Sequence, residues 1–284
     1  MPTETATATV VSADGTTIAF DRVTGGDAGT VILVGGAFSY RKFPKMVELA
    51  QVLAEEYGFT VLNYDRRGRG DSDDTPGAYD VDQEIDDIAA LVTAAGGSAH
   101  LFGWSSGAGL ALRAAASGRV PGIGRIVAFE PPFVVEKGRH VPPADLHKKL
   151  HELVAADKRG RTVRYFMTKA MGVPWTFVLL MRLTSAWKGL AATANSTPHD
   201  WAVMGPYMRG EALRAADWTG VTVPTLVISG AKSTPILRTG AAAIAAVLPN
   251  ARHRELAKLS HDPSIAILAP AAAEFLANDR TATS

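Results

Sequence analysis

A serine between two glycines, in the stretch Gly103-Trp104-Ser105-Ser106-Gly107, is the strongest chemical motif of the chain. It follows the apolar run His100–Trp104 and precedes an alanine-rich stretch typical of a helix. A serine on a sharp strand-to-helix turn projects its hydroxyl above the end of a sheet, as a nucleophile requires. The glycines let the strand and the helix approach each other closely. We therefore predict a nucleophilic Ser105, with an ordinary strand–helix turn as the alternative.

The same turn offers a place for negative charge, because the backbone N–H of Ser106 begins the predicted helix. A serine hydroxyl also needs a base that takes its proton. Of the seven histidines, His261 is the best placed, in the loop between the last predicted strand and the last predicted helix. A surface loop histidine is the alternative. His147 and His151 have a spacing that can bind metal, but no glutamate or third ligand accompanies them, so a solvated helix face is predicted.

The elements that position these residues alternate between strands and helices. Apolar and alternating runs predict strands at Ala6–Ser12, Thr16–Asp21, Thr30–Val34, Thr60–Tyr64, His100–Trp104, Arg125–Phe129, Thr225–Ser229 and Arg252–Leu256. Helical periodicity predicts helices at Lys45–Glu56, Val81–Ala95, Ser106–Ser117, Leu237–Leu248 and Ile265–Leu276. The first two strands form a hairpin across Asp14-Gly15. The fold class is therefore α/β, a doubly wound, mostly parallel sheet of about eight strands.

The alternation stops between Val134 and Asp217. This stretch is rich in Met and Trp and is predicted to form helices that are interrupted at prolines. We therefore predict an α/β core in two parts, residues 1–133 and 218–284, with a helical cap inserted as residues 134–217. Flexible methionine side chains in such a cap suit irregular apolar ligands.

The stretch Tyr64-Asp65-Arg66-Arg67-Gly68-Arg69-Gly70-Asp71-Ser72 resembles the D-x-R-G-x-G-x-S loop of the α/β-hydrolase fold superfamily. With the hairpin, the serine turn, the helical insertion and the late histidine, the resemblance covers nearly the whole chain. It implies a catalytic triad with His261 as base. It also implies a structural loop in which Asp65 and the glycines form a tight turn and Arg66 holds neighbouring backbone. Phosphate binding by this loop is the alternative, which the lack of a following helix N-terminus disfavours.

The acid of the triad departs from the commonest pattern of the superfamily. Many members carry an aspartate after the strand that corresponds to Thr225–Ser229, but Gly230-Ala231-Lys232-Ser233-Thr234-Pro235 has no carboxylate. The other position used by the superfamily follows the strand after the serine turn, where Glu130 lies. We predict Glu130 as the acid. Ordering of the Pro-Pro turn or bracing of the cap is the alternative role, and Asp262, adjacent to His261, is a weaker candidate acid.

The resemblance implies a second oxyanion donor in the loop after Thr30–Val34, where Gly35-Gly36-Ala37-Phe38 replaces the common His-Gly. We predict the Ala37 backbone N–H as this donor, beside that of Ser106, with Gly36 and Phe38 as alternatives. Aromatic residues near the turn and in the cap are predicted to contact substrate, although packing of the cap helices explains the cap aromatics equally well. They are Phe38, Trp104, Trp175, Trp201 and Tyr207.

Composition excludes several functions. The 284 residues include no cysteine, which excludes disulfides, thiolate metal sites and a cysteine nucleophile. A formal net charge of +1 lacks the positive field of a nucleic-acid binder. The N-terminus does not resemble a signal peptide, and no apolar run approaches the ~20 residues of a membrane span. We expect a cytoplasmic protein with a small-molecule substrate and without a nucleic-acid or membrane partner; the oligomeric state is open.

These residues together predict a carboxylesterase-like serine hydrolase that needs no metal or cofactor. It would cleave a small, largely apolar ester, thioester or lactone through an acyl-enzyme. One alternative is a non-hydrolytic enzyme of the same fold, such as a lyase, a cyclase or a cofactor-free oxidative enzyme. A non-catalytic ligand-binding protein is the other alternative.

Overall fold

An eight-stranded sheet forms the centre of the computed structural model, which describes residues 3–75, 77–138 and 140–277. The strands are β1 (Thr5–Val11), β2 (Thr17–Val23), β3 (Thr30–Val34), β4 (Thr60–Tyr64), β5 (Ala99–Trp104), β6 (Ile123–Phe129), β7 (Thr225–Gly230) and β8 (Ala251–Leu256). Their spatial order is β1-β2-β4-β3-β5-β6-β7-β8. β2 is antiparallel to both its neighbours, and the other pairs are parallel. The predicted mostly parallel sheet is confirmed.

The parallel register brings the carboxyl ends of the central strands to one edge of the sheet. Val34 of β3 pairs with Gly103 of β5. Trp104 pairs with Phe129 of β6, which in turn pairs with Ile228 of β7. The loops that follow these four strands therefore meet at the same edge, where binding sites of such sheets lie.

Helices cover both faces of the sheet. They are α1 (Pro44–Glu55), α2 (Val81–Ala94), α3 (Ser106–Ala116), α4 (Leu146–Ala155), α5 (Arg159–Tyr165), α6 (Trp175–Met181), α7 (Ala186–Ala192), α8 (Thr197–Met204), α9 (Pro235–Val247) and α10 (Ile265–Leu276). α1 and α10 share one hydrophobic cluster with one face, and α2, α3 and α9 share another with the opposite face. In α1, Met46, Leu49 and Leu53 recur at helical spacing and form one buried apolar stripe, so this side of the helix packs on the sheet.

Helices α4 to α8 lie between β6 and β7 and are called the helical insertion below. A π-helical turn, Phe166–Ala170, continues α5, and Pro198 occupies the first turn of α8, where its missing N–H costs nothing. Buried side chains such as Leu146 and Val203 belong to the same hydrophobic cluster as α2, α3 and α9. The helical insertion therefore packs on that face. The division of the chain at residues 134 and 217 stays a prediction.

Within the described ranges, every helix is too short or too polar to cross a lipid bilayer.

Candidate active site

Ser105 lies on the sharp turn between β5 and α3. Its backbone has φ 56° and ψ −121°, a combination that residues with a side chain rarely adopt. Two close approaches enforce it. A Cβ at Gly103 would lie 2.5 Å from the Cα of Ala108, and a Cβ at Gly107 would lie 2.0 Å from the Val34 carbonyl oxygen. Only glycine fits at either position, so strand and helix together fix the serine at the edge of the sheet.

Glu130 and His261 meet at the same edge. Nδ1 of His261 lies 2.7 Å from Oε2 of Glu130. The other carboxylate oxygen accepts a hydrogen bond from the Gly230 backbone N–H, also at 2.7 Å. Glu130 is fully buried, whereas the side chain of His261 is 31% exposed. A carboxylate bound to Nδ1 orients the ring and leaves Nε2 as the nitrogen that accepts a proton.

Strand pairing places Ser105 beside Glu130. Trp104 and Phe129 are paired across β5 and β6, and the Ser105 N–H donates to the Phe129 carbonyl at 2.9 Å. Ser105 and Glu130 are thus the next residues of two adjacent strands. In the described part of the chain the Ser105 hydroxyl forms no hydrogen bond with His261. Such contacts often tighten only when substrate binds. The structure therefore links two of the three predicted triad residues directly and places the third on the adjacent turn.

The loop after β7 contains no carboxylate, but it binds Glu130, the predicted acid. Its first residue, Gly230, donates its N–H to Glu130. A Cβ at Gly230 would lie 2.4 Å from the Leu259 carbonyl oxygen, and the Lys232 N–H donates to that same oxygen at 2.9 Å. This loop therefore packs directly against the segment that leads to His261. Asp262, the weaker candidate for the acid, is exposed.

The glycine loop after β3 lies directly against the serine turn. A Cβ at Gly36 would lie 3.0 Å from the Cβ of Ser105 and 2.8 Å from the Trp104 carbonyl oxygen. The Ser39 N–H donates to the Gly36 carbonyl at 3.1 Å, which closes a tight turn. The N–H of Ala37 lies within this turn, next to the glycine that contacts the serine. Its role as a donor stays a prediction.

A sequence profile of the alpha/beta hydrolase family matches residues 31–276, which include all the candidate residues described above. The chain belongs to the alpha/beta hydrolase family. An alpha/beta hydrolase from Sphaerobacter thermophilus is 44% identical, with a TM-score of 0.85 over 94% of this chain and 99% of that one. A thermophilic esterase from Thermogutta terrifontis is 21% identical, with a TM-score of 0.66 over 97% of this chain and 100% of that one. The likeness to the esterase shows the fold alone.

A shorter stretch of this alpha/beta hydrolase is similar to part of a curated protein. The N-formylmaleamate deformylase of Pseudomonas putida is 43% identical to it over 98 residues. These residues are 33% of this chain and 36% of the deformylase, so the match spans about a third of that relative's length.

Asp65 organises the loop between β4 and α2 in this alpha/beta hydrolase. Its carboxylate accepts hydrogen bonds from the backbone N–H groups of Arg41 at 2.6 Å and Asp71 at 2.9 Å, and it pairs with the Arg41 guanidinium. Gly70 has a φ of 55°, and a Cβ there would lie 2.1 Å from Asp65 Oδ2. The contacts match the tight turn that was predicted for this loop.

Two arginines of the same loop are buried together with two carboxylates. Arg66 donates to the two oxygens of Glu84 at 2.6 Å each and to Asp200 Oδ1 at 2.8 Å. Arg69 donates to Asp200 Oδ2 at 2.7 Å. Burial alone would raise the pKa of Glu84, but the charge of Arg66 outweighs it and lowers that pKa to about 2. The four side chains, called the ion cluster below, carry balanced charge, as a buried group of this kind requires.

Two of the aromatic residues predicted to contact substrate lie on the side of the helical insertion. Phe38 is buried, and its ring packs edge-on against Phe166 with centroids 5.4 Å apart. Tyr207 packs against Phe133 and Trp218, at 5.1 Å and 4.9 Å between centroids. Burial raises the pKa of the Tyr207 hydroxyl. Phe38 thus joins the loop after β3 to the helical insertion, and Tyr207 lies in an aromatic cluster.

The three tryptophans of this prediction lie in three different environments. Trp104 is buried in the cluster of α1 and α10, with its ring 5.7 Å from that of Phe129. Trp175 begins α6 and is 66% exposed. Trp201 is half-buried, and a Cβ at Gly205 would come within 2.8 Å of its ring. Substrate contact stays a prediction for all five aromatic residues.

Asp200 is a residue near the site that the sequence analysis did not predict. Two signals in the sequence point to it. Arg66, Arg67 and Arg69 crowd a loop predicted to be structural, and buried arginines need carboxylates. Asp200 is also the first acidic residue after Asp157, in a stretch otherwise basic, polar and apolar.

Proposed function

We propose that the protein is a serine hydrolase that cleaves an acyl bond through a covalent acyl-enzyme. The observation that carries the proposal is the 2.7 Å contact between His261 Nδ1 and Glu130, at the edge of the sheet where Ser105 lies. A histidine oriented by a buried carboxylate, at the same sheet edge as a serine on a strained turn, is suited to activating that hydroxyl. Membership of the alpha/beta hydrolase family supports the proposal.

In the proposed reaction His261 Nε2 takes the proton of Ser105 as its Oγ attacks the carbonyl carbon. Glu130 keeps the ring oriented and stabilises the imidazolium that forms. The oxyanion accepts hydrogen bonds from the backbone N–H groups of Ser106 and Ala37. The imidazolium then protonates the leaving group. His261 then takes a proton from water as the water attacks the acyl-enzyme, and it returns this proton to Ser105 Oγ as the acyl–oxygen bond breaks and the acid product leaves.

The proposed substrate is a small, largely apolar carboxylic ester; a thioester or a lactone would use the same residues. The apolar contact of Phe38 with Phe166 supports an apolar ligand, because both rings lie on the helical-insertion side of the loop after β3. A second candidate reaction, hydrolysis of an N-formyl amide, is favoured by the 43% identity over 98 residues to N-formylmaleamate deformylase.

Fluorophosphonate labelling tests the activated serine. We expect the wild-type protein to be labelled and to hydrolyse short-chain nitrophenyl esters, and Ser105→Ala to lose both activities. A folded wild-type protein that resists labelling would contradict the proposal, because a serine activated by His261 attacks phosphorus as it attacks carbon.

Substrate panels then separate the candidate reactions. Turnover of nitrophenyl esters with little turnover of N-formyl amides supports the ester. The opposite preference supports the deformylation candidate. Labelling without turnover of either class would support a non-hydrolytic reaction, because this fold also carries such reactions.

A further inference from the structure

Asp200 connects the helical insertion to the residue that begins α3. Its carboxylate is fully buried on α8. Oδ1 accepts a hydrogen bond from the Ser106 hydroxyl at 2.7 Å. The backbone N–H of Ser106 is the first oxyanion donor of the proposed reaction, since the first N–H groups of a helix have no partner within it. The side chain of this donor residue is therefore held by a carboxylate from the helical insertion.

Through Arg69, the same carboxylate is also linked to the loop after β3, which carries the second proposed oxyanion donor, Ala37. Nη2 of Arg69 donates to Asp200 Oδ2 at 2.7 Å. Its Nη1 donates to the carbonyl oxygens of Gly36 at 2.6 Å and Ser39 at 3.1 Å. These carbonyls lie on either side of Ala37, the proposed second donor. A planar guanidinium fixed at both ends leaves this loop little freedom to rotate its N–H groups.

Arg66 adds a further link between the ion cluster and the site. Its Nη1 lies 2.8 Å from Asp200 Oδ1, and it also lies 3.3 Å from both the Gly35 carbonyl oxygen and the Ser106 hydroxyl. Separation of α8 from the core would remove Asp200 from the ion cluster and leave Arg66 and Arg69 with one carboxylate of the cluster, Glu84. Such a state is strongly unfavourable.

We propose that Asp200 is a positioning residue, through which the docked α8 holds both oxyanion donors in their catalytic places. The inference rests on the proposed function, because an oxyanion hole matters only for acyl transfer. It makes α8 the part of the helical insertion that is fixed to the site. The site is then competent only while α8 is seated on the core.

The test compares Asp200→Asn with Asp87→Asn, a matched control. Asp87 is also fully buried and accepts hydrogen bonds from a loop arginine, Arg67, at 2.6 Å and 2.8 Å. Among the described residues, Arg67 donates neither to Ser106 nor to the loop after β3. We expect Asp200→Asn to lower kcat about 10- to 100-fold with a much smaller change in KM, since misplaced donors weaken transition-state binding. We expect Asp87→Asn to keep kcat within about threefold. Equal losses of kcat in both variants would overturn the inference.

Hydrogen exchange measures the positioning without turnover. We expect Asp200→Asn to speed amide exchange in residues 35–39 and 104–108, whereas Asp87→Asn leaves these segments protected. Unchanged protection in Asp200→Asn overturns the inference at any level of activity. If the wild-type protein proves inactive, the proposed function fails, and exchange alone decides the role of Asp200.

A second variant covers the case in which Asp200→Asn does not fold. Ser106→Ala keeps all four charges of the ion cluster and removes only the hydroxyl bound to Asp200. A severalfold loss of kcat with faster exchange in residues 104–108 supports the inference. Unchanged kcat and unchanged exchange overturn it.

Discussion

Unusual backbone angles concentrate at the candidate site. Among the non-glycine residues of the described ranges, Phe38, Ser105 and Glu130 have φ of 62°, 56° and 49°, and the fourth with positive φ is the exposed Asp157. Such conformations cost about 1–3 kcal/mol each and persist where surrounding structure enforces them. Ser105 and Glu130 follow paired strand residues, so the sheet itself enforces both. The motif at residues 103–107 predicted the strained turn at Ser105. No sequence motif predicted the positive φ of Glu130.

At Glu130 we expect the substitution Glu130→Gln to lower kcat/KM for esters by about 10²- to 10⁴-fold. A neutral amide no longer stabilises the imidazolium, and its NH₂ group can donate to Nδ1 of His261, which reverses the tautomer. Steady-state hydrolysis of a nitrophenyl ester measures the loss, and the rate of fluorophosphonate labelling reports it at the first chemical step.

Asp262→Asn is the control for this prediction, because Asp262 adjoins His261 in sequence and is exposed. We expect its kcat/KM to stay within about threefold of the wild-type value. A loss below about tenfold in Glu130→Gln, which is about 1.4 kcal/mol, would reject Glu130 as the acid. A larger loss in Asp262→Asn than in Glu130→Gln would move the role to Asp262.

At the scale of elements, the central strands were predictable because burial on both faces leaves continuous apolar runs. β3 and β4 have the predicted bounds, Thr30–Val34 and Thr60–Tyr64. β7 extends to Gly230, one residue beyond the prediction. The N–H of that residue donates to Glu130, 100 residues away in sequence, a contact that no local pattern encodes.

The serine turn depends on close packing between β3 and α3, which Gly107 makes possible. We expect Gly107→Ala to lower the free energy of unfolding by at least about 3 kcal/mol, the upper end of the usual cost of overpacking. The added methyl group would lie 2.0 Å from the Val34 carbonyl oxygen, so strand and helix must separate. Urea unfolding followed by circular dichroism measures the change.

Gly189→Ala in α7 is the matched control. An added Cβ there meets nothing within 4 Å. Alanine favours a helix over glycine by roughly 1 kcal/mol, so we expect this variant to equal or exceed the wild type in stability. A Gly107→Ala protein as stable as Gly189→Ala would show that β3 and α3 do not need this close approach.

For the whole molecule, the contacts of Asp200 are the ones that the sequence did not predict, and they join residues far apart in the chain. Asp200 binds Arg66, Arg69 and Ser106 across 134, 131 and 94 residues. Patterns within single elements indicate which residues are apolar or helical, but not which face of the helical insertion meets the core.

The helical insertion and the core share one continuous hydrophobic cluster. Val163 of α5 and Ala111 of α3 are both fully buried in it. The ion cluster crosses the same boundary, because Asp200 lies on α8 and its arginines lie on the loop after β4. Shared burial of this extent couples the unfolding of two regions. The boundaries predicted at residues 134 and 217 therefore need not separate two independently folding units.

A chain without cysteine allows a direct test of this coupling, because one introduced thiol reports opening at one place. We expect Val163→Cys and Ala111→Cys to become reactive at the same urea midpoint, since one cooperative transition exposes both positions. Thiol labelling against urea, with circular dichroism of the same variants, measures the two midpoints. A midpoint for Val163→Cys lower by about 1 M urea or more, with Ala111→Cys still protected, would show that the helical insertion opens alone. Coincident midpoints would instead mean that the ion cluster and the shared apolar cluster fold the helical insertion and the core as one unit.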